Sequence, residues 1–100
     1  MTPQYDTIDK IKISSKNKNT LEDIFKSPTS ANIDWTDFTA LILALGGEIE
    51  KGGKTGGSRR RVRLYGHKAV FHKPHPGRYM VKGSVESAKD FLKNAGIYPS

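Results

Sequence analysis

One hundred residues, 35% of them hydrophobic, suffice for a single domain with one modest core. The chain has no cysteine, which excludes a disulfide framework, a thiolate zinc site and a cysteine nucleophile, and its longest apolar run, 40–45, is far short of the roughly 18 residues of a membrane span. Lysine and arginine number 17 against 10 acidic residues, a net charge of +7, so the expectation is a basic cytoplasmic protein with neither cofactor nor metal.

The opening MTPQYDTIDKIKISS has no charged start followed by an apolar stretch, so it does not read as a secretory signal. The polar run SSKNKN follows, and Ile8, Ile11 and Ile13 fit neither helical nor strand spacing, so residues 1–19 are read as a flexible tail and 20–100 as the domain. Thr20 is placed to cap a short helix whose apolar side is Leu21, Ile24 and Phe25, ended by Ser27-Pro28. Asp34 then reads as the N-cap of the strongest helix in the chain. Trp35, Phe38, Leu41, Ile42 and Leu45 recur at spacings of three and four, and Gly46-Gly47 stops the run.

Beyond Gly47 the period changes from 3.6 to 2. Glu48-Ile49-Glu50 reads as a short strand and GGKTGG as a flexible connection. From Arg59 to Leu64, Val62 and Leu64 alternate with Arg59, Arg61 and Arg63. Tyr65-Gly66-His67 turns the chain into a third strand over 68–72, in which adjacent Val70 and Phe71 leave the face of His72 open. The final helix, over about 84–94, has Val85, Ala88, Phe91, Leu92 and Ala95 on its apolar side and Gly96 at its end. The predicted fold is α+β: a short N-terminal helix, then α-β-β-β-α, with a three-stranded antiparallel meander and both main helices on one face.

Charge is unevenly spread along these elements. Residues 51–85 hold ten basic and no acidic side chains, and all three histidines (His67, His72 and His75) lie among them. The remainder carries seven basic and ten acidic residues, so one cationic segment sits on a near-neutral body and attracts polyanions. Arginine forks match phosphate oxygens, and alternate residues of a strand stand about 6.6 Å apart on one face, close to the spacing of neighbouring phosphates. Arg59, Arg60, Arg61, Arg63, Lys73, Arg78 and Lys82 are therefore candidate RNA-binding residues. An acidic protein partner would meet the same patch. Tyr65, Phe71 and Tyr79 are the aromatics available for stacking, too few to suggest sequence-specific reading of bases.

Two other motifs are weaker. Gly53-Lys54-Thr55 resembles the end of a phosphate-binding P-loop, but the position five before Gly53 is Glu48 rather than glycine. The His72/His75 spacing suits two metal ligands, yet cations surround it and no carboxylate is near in sequence. The run His72-Lys73-Pro74-His75-Pro76 fits phosphate chemistry better. Metal-free RNA cleavage needs a base for the 2′-hydroxyl, a cation beside the phosphorane and an acid for the leaving 5′-oxygen, and imidazole serves as either acid or base. His72 and His75 are accordingly the candidate catalytic residues; the alternative is that they only bind phosphate or support the loop.

The stretch 35–97 resembles the HicA family, toxins of HicA–HicB toxin–antitoxin pairs. The resemblance rests on Leu45-Gly46-Gly47 ending the first main helix, Gly57-Ser58 leading into a basic strand, His75-Pro76-Gly77, and Lys82-Gly83-Ser84 before a helix that closes Leu92-Lys93-Asn94-Ala95-Gly96-Ile97. It implies a double-stranded-RNA-binding-domain-like fold and a small metal-independent endoribonuclease that degrades messenger RNA. It also implies a HicB-like antitoxin partner, the protein being a monomer when free and in hetero-complex when neutralised. Many HicA toxins carry their catalytic histidine in Gly-Ser-His at the start of the second strand. Here Arg59 holds that position, and arginine stays protonated, so it cannot act as a general base. Three readings follow: the role has moved to His72 across the hairpin, the protein is a longer subtype that cuts RNA with His72 or His75 in a different geometry, or it is a HicA fold that binds RNA or antitoxin without cutting; a role outside the family is the remaining alternative.

Overall fold

The structure, a computed structural model, describes residues 13–52 and 57–99. The P-loop-like Gly53-Lys54-Thr55 and most of the expected tail lie outside the described residues.

The first helix, α1 (Ser15–Ile24), starts earlier than its apolar residues suggest. Its cap is Ser14, whose side chain accepts from the Asn17 amide at 3.1 Å. Thr20 is not the cap: it is buried within the helix, and its hydroxyl donates to the Lys16 carbonyl at 3.1 Å. Residues 15–19 are thus helical and not tail. The polar run hid this because only one side of α1 meets the core, through Leu21 and Ile24, while Ile13 packs beside it just before the cap.

The second helix, α2 (Trp35–Ala44), follows its apolar spacing, with Trp35, Phe38, Leu41, Ile42 and the following Leu45 all buried. Asp34 caps it by accepting from the Thr36 amide at 2.8 Å. At its end Gly46 takes φ +90°, and the Gly47 amide reaches back to the Ile42 carbonyl at 2.9 Å. Gly47 is required for a second reason: a Cβ there would lie 2.7 Å from both the Arg63 carbonyl oxygen and Ile42 Cγ2.

Three strands follow, β1 (Glu48–Lys51), β2 (Arg59–Leu64) and β3 (His67–His72), forming an antiparallel sheet in the order β1-β2-β3. Tyr65 (φ 49°) and Gly66 (φ 81°) form the two-residue link between β2 and β3, so His67 is the first residue of the strand rather than part of the turn. The last helix, α3 (Lys82–Asn94), begins two residues ahead of Ser84; Val81 occupies the cap position and makes no side-chain capping bond.

Both main helices cover the same face of the sheet, as expected. Val62, Leu64 and Phe71 point into the core, where the Phe71 ring lies 5.1 Å from Phe38 of α2 and 6.1 Å from Phe91 of α3. Each such burial contributes about 1.5–3 kcal/mol. Helix α1 packs beside α2 and α3. Among the described residues, no helix is long and apolar enough to cross a membrane.

Candidate functional site

The pleat sorts the arginines. Arg59, Arg61 and Arg63 stand on the solvent face with Lys68, Val70 and His72 of β3 and Glu48 and Glu50 of β1. Phe71 is buried, so His72 takes the outer face and the question left by Val70-Phe71 is answered by packing. A turn centred on Gly66 would set Arg60 opposite His72. The link is instead Tyr65-Gly66, with Leu64 paired to His67, so Arg59 faces His72 and Arg60 faces Phe71. Arg60 therefore lies on the helix side, half-buried, and its Nη1 donates to the carbonyls of Gly57 at 2.9 Å and Arg59 at 3.0 Å.

At the Arg59–His72 end, Ser58 joins the site. Its Oγ lies 3.3 Å from His72 Nδ1, and its carbonyl accepts from the Lys73 amide at 2.8 Å. Engagement of Nδ1 leaves Nε2 as the nitrogen a substrate meets. Past His72 the chain enters a loop pinned to the entry of α2: the Trp35 amide donates to the Arg78 carbonyl and the Met80 amide to the Ile33 carbonyl, each at 2.8 Å. Between this pin and the strand runs an open groove of about 350 Å³, bordered by His72, Lys73, His75, Tyr79, Val81 and Ser84. Arg60, Lys73 and His75 also border a neighbouring depression of about 420 Å³ with Gly57 and Ser58. His67 is elsewhere, at the hairpin end beside Tyr65, Arg63 and Lys68.

The cationic segment is less unopposed in space than along the chain. Arg63 Nη2 lies 3.9 Å from Glu50 Oε2, and Arg78 Nε lies 3.6 Å from Asp34 Oδ2. Arg78 also donates to the Tyr79 hydroxyl at 2.7 Å and sits 4.9 Å from the centre of its ring. That hydrogen bond first, then attraction to Tyr79 and Asp34, raises the Arg78 pKa above its usual value. Arg59, Arg61, Lys73 and Lys82 form no ion pair among the described residues. Lys82 stands in the first turn of α3, near the groove through Val81 and Ser84.

Of the seven candidate RNA-binding residues, Arg59, Arg60 and Lys73 gather around His72 and His75. Arg61 and Arg63 continue along the outer sheet face, Arg78 is turned to Asp34 and Tyr79, and Lys82 lies at the α3 entry. Sequence reasoning missed Ser58 as a site residue, although the Gly57-Ser58 step before a basic strand marks its place. It also missed the acidic shielding by Glu50 and Asp34, which belong to other elements. Among the described residues, no cluster of three or more His, Asp or Glu side chains is arranged to hold a metal ion.

Compared with family models, with curated proteins and with solved structures, the chain gives no significant match.

Proposed function

We propose that the protein is a metal-independent endoribonuclease of the HicA kind, with His72 as general base, His75 as general acid and a HicB-like protein as its antitoxin. The observation that carries this reading is the placement of His72: it stands opposite Arg59, has Ser58 at Nδ1, and shares one groove with Lys73 and His75. Arg59 occupies the position where HicA toxins carry their histidine, and the strand directly across supplies another. In the tautomer that carries its proton on Nδ1 and donates it to Ser58 Oγ, His72 Nε2 takes the 2′-hydroxyl proton. The 2′-oxygen then bonds to phosphorus, the bond to the 5′-oxygen breaks, and His75 protonates that leaving oxygen. The products are a 2′,3′-cyclic phosphate and a 5′-hydroxyl. Arg59 and Lys73 offset the charge gathering on the phosphorane.

A second reading has its own support. Among the described residues neither His72 nor His75 pairs with a carboxylate, and both are exposed, so the same face suits a module that binds RNA or an antitoxin without cutting. Labelled single-stranded RNA incubated with excess chelator separates the two. Cleavage by the wild type, lost by about 10²–10⁴-fold in folded His72→Ala and His75→Ala, supports the nuclease. Salt-sensitive binding without cleavage supports the module, and a requirement for magnesium would refute the metal-free mechanism.

A further inference from the structure

Three aromatic residues fall within or beside the basic segment, and the structure separates them. Phe71 is 2% exposed, wedged between Phe38 and Phe91, so no base can reach it. Tyr65 occupies the β2–β3 turn, on the depression around His67 rather than the groove of His72 and His75. Tyr79 borders that groove and is 43% exposed. Its ring is also held in place. The backbone on either side is paired to the entry of α2, and Arg78 bonds the hydroxyl while lying over the ring. Val81, 70% exposed, adds an apolar side chain to the lining of the same groove.

From this we infer that Tyr79 is a stacking platform for one nucleobase next to the phosphate held by His72, Lys73 and His75, making single-stranded RNA the substrate class. The inference rests on the RNA reading of the same site. A fixed aromatic ring beside a cationic groove supplies both parts of a single-strand site: a flat surface accepting any base, and a charged track for the backbone. Arg78 on the ring adds a cation that strengthens the stack. A paired base cannot turn its flat face to the ring, so duplex RNA loses the contact. The platform selects strandedness rather than base identity, because every base has such a face.

The test is a binding cycle with a short single-stranded RNA carrying 2′-O-methyl groups throughout, which blocks attack by the 2′-oxygen. Abasic sites are placed at one position at a time. For the wild type, one abasic position weakens binding by about 5–150-fold, the range for loss of one base–aromatic stack. Tyr79→Ala is weakened by a similar factor on the intact strand and loses nothing more at that position. Tyr79→Phe keeps the ring and its paired backbone but not the Arg78 bond to the hydroxyl, so it retains the abasic penalty and most of the affinity, whereas Tyr79→Leu, which keeps apolar bulk without an aromatic face, behaves as the alanine variant and guards against a folding artefact. Wild-type affinity in the alanine and leucine variants, or an abasic penalty that persists in both, overturns the platform while leaving RNA binding intact. Failure of the wild type to bind any RNA overturns the platform and the RNA reading together.

Discussion

Lys73→Ala and Arg63→Ala remove one positive charge each from the same basic segment, yet they should differ in how RNA binding responds to salt. Five of the seven candidate cations form no ion pair among the described residues, and four of these, Arg59, Arg61, Lys73 and Lys82, point no charged group at a protein acceptor either. Arg63 has Glu50 at 3.9 Å and Arg78 has Asp34 at 3.6 Å, and those carboxylates stay beside the site whether or not each pair is closed. Arg60 lies on the helix side and commits its Nη1 to two carbonyls. Each phosphate neutralised on a single strand contributes about −0.7 to the slope of log affinity against log salt, so four cations give about −2.8 and all seven about −4.9. Between about 50 and 200 mM salt these slopes correspond to losses of about 50-fold and about 900-fold. Fluorescence anisotropy of a labelled single-stranded RNA across that range measures the slope. Lys73→Ala should bring it to about −2.1, while Arg63→Ala shifts it by less than half as much. A wild-type slope near −5, or equal shifts for the two variants, would refute the claim that Glu50 and Asp34 shield part of the patch.

Other expectations concern the framework. Gly47→Ala places a Cβ 2.7 Å from the Arg63 carbonyl and from Ile42 Cγ2, so β2 or α2 must shift. The expected cost is about 1–3 kcal/mol, seen as a fall in Tm of about 4–8 °C per kcal/mol. Urea unfolding should show Phe71→Ala losing about 3–5 kcal/mol while its neighbour Val70→Ala, 47% exposed, stays close to wild type; similar losses for both would contradict the assigned faces of β3. At Asp34, the asparagine variant keeps an acceptor for the Thr36 amide and gives up only a long, partly exposed ion pair, so its Tm should move little. The alanine variant loses the cap and about 1 kcal/mol with it.

What could be read from the chain was local. Alternation from Arg59 to Leu64 assigned β2 and both of its faces, because a pleated strand sends successive side chains to opposite sides whatever lies around it. Spacing of three and four from Trp35 to Leu45, with Asp34 before and two glycines after, assigned α2 and its buried side for the same kind of reason. Where periodicity was weak the reading slipped. Helix α1 begins at Ser15 because Ser14 caps it and Leu21 and Ile24 meet the core, whereas the polar residues that open it show no pattern of their own.

Decisions made between elements needed the folded structure. Whether His72 faces Arg59 or Arg60 depends on the residues spent in the β2–β3 turn, and a change of one residue there turns a side chain from solvent to core. Phe71 settled the face of His72 by packing between two helices distant in the sequence. Glu50 and Asp34 reached the basic patch from β1 and from the entry of α2, neither of which belongs to the acid-free segment. Composition and periodicity sufficed to show that a cationic strand and two nearby histidines exist. Only the pairing of strands and the pinned loop brought Ser58, His72, Lys73, His75 and Tyr79 to neighbouring positions, because such contacts join residues that no local period links.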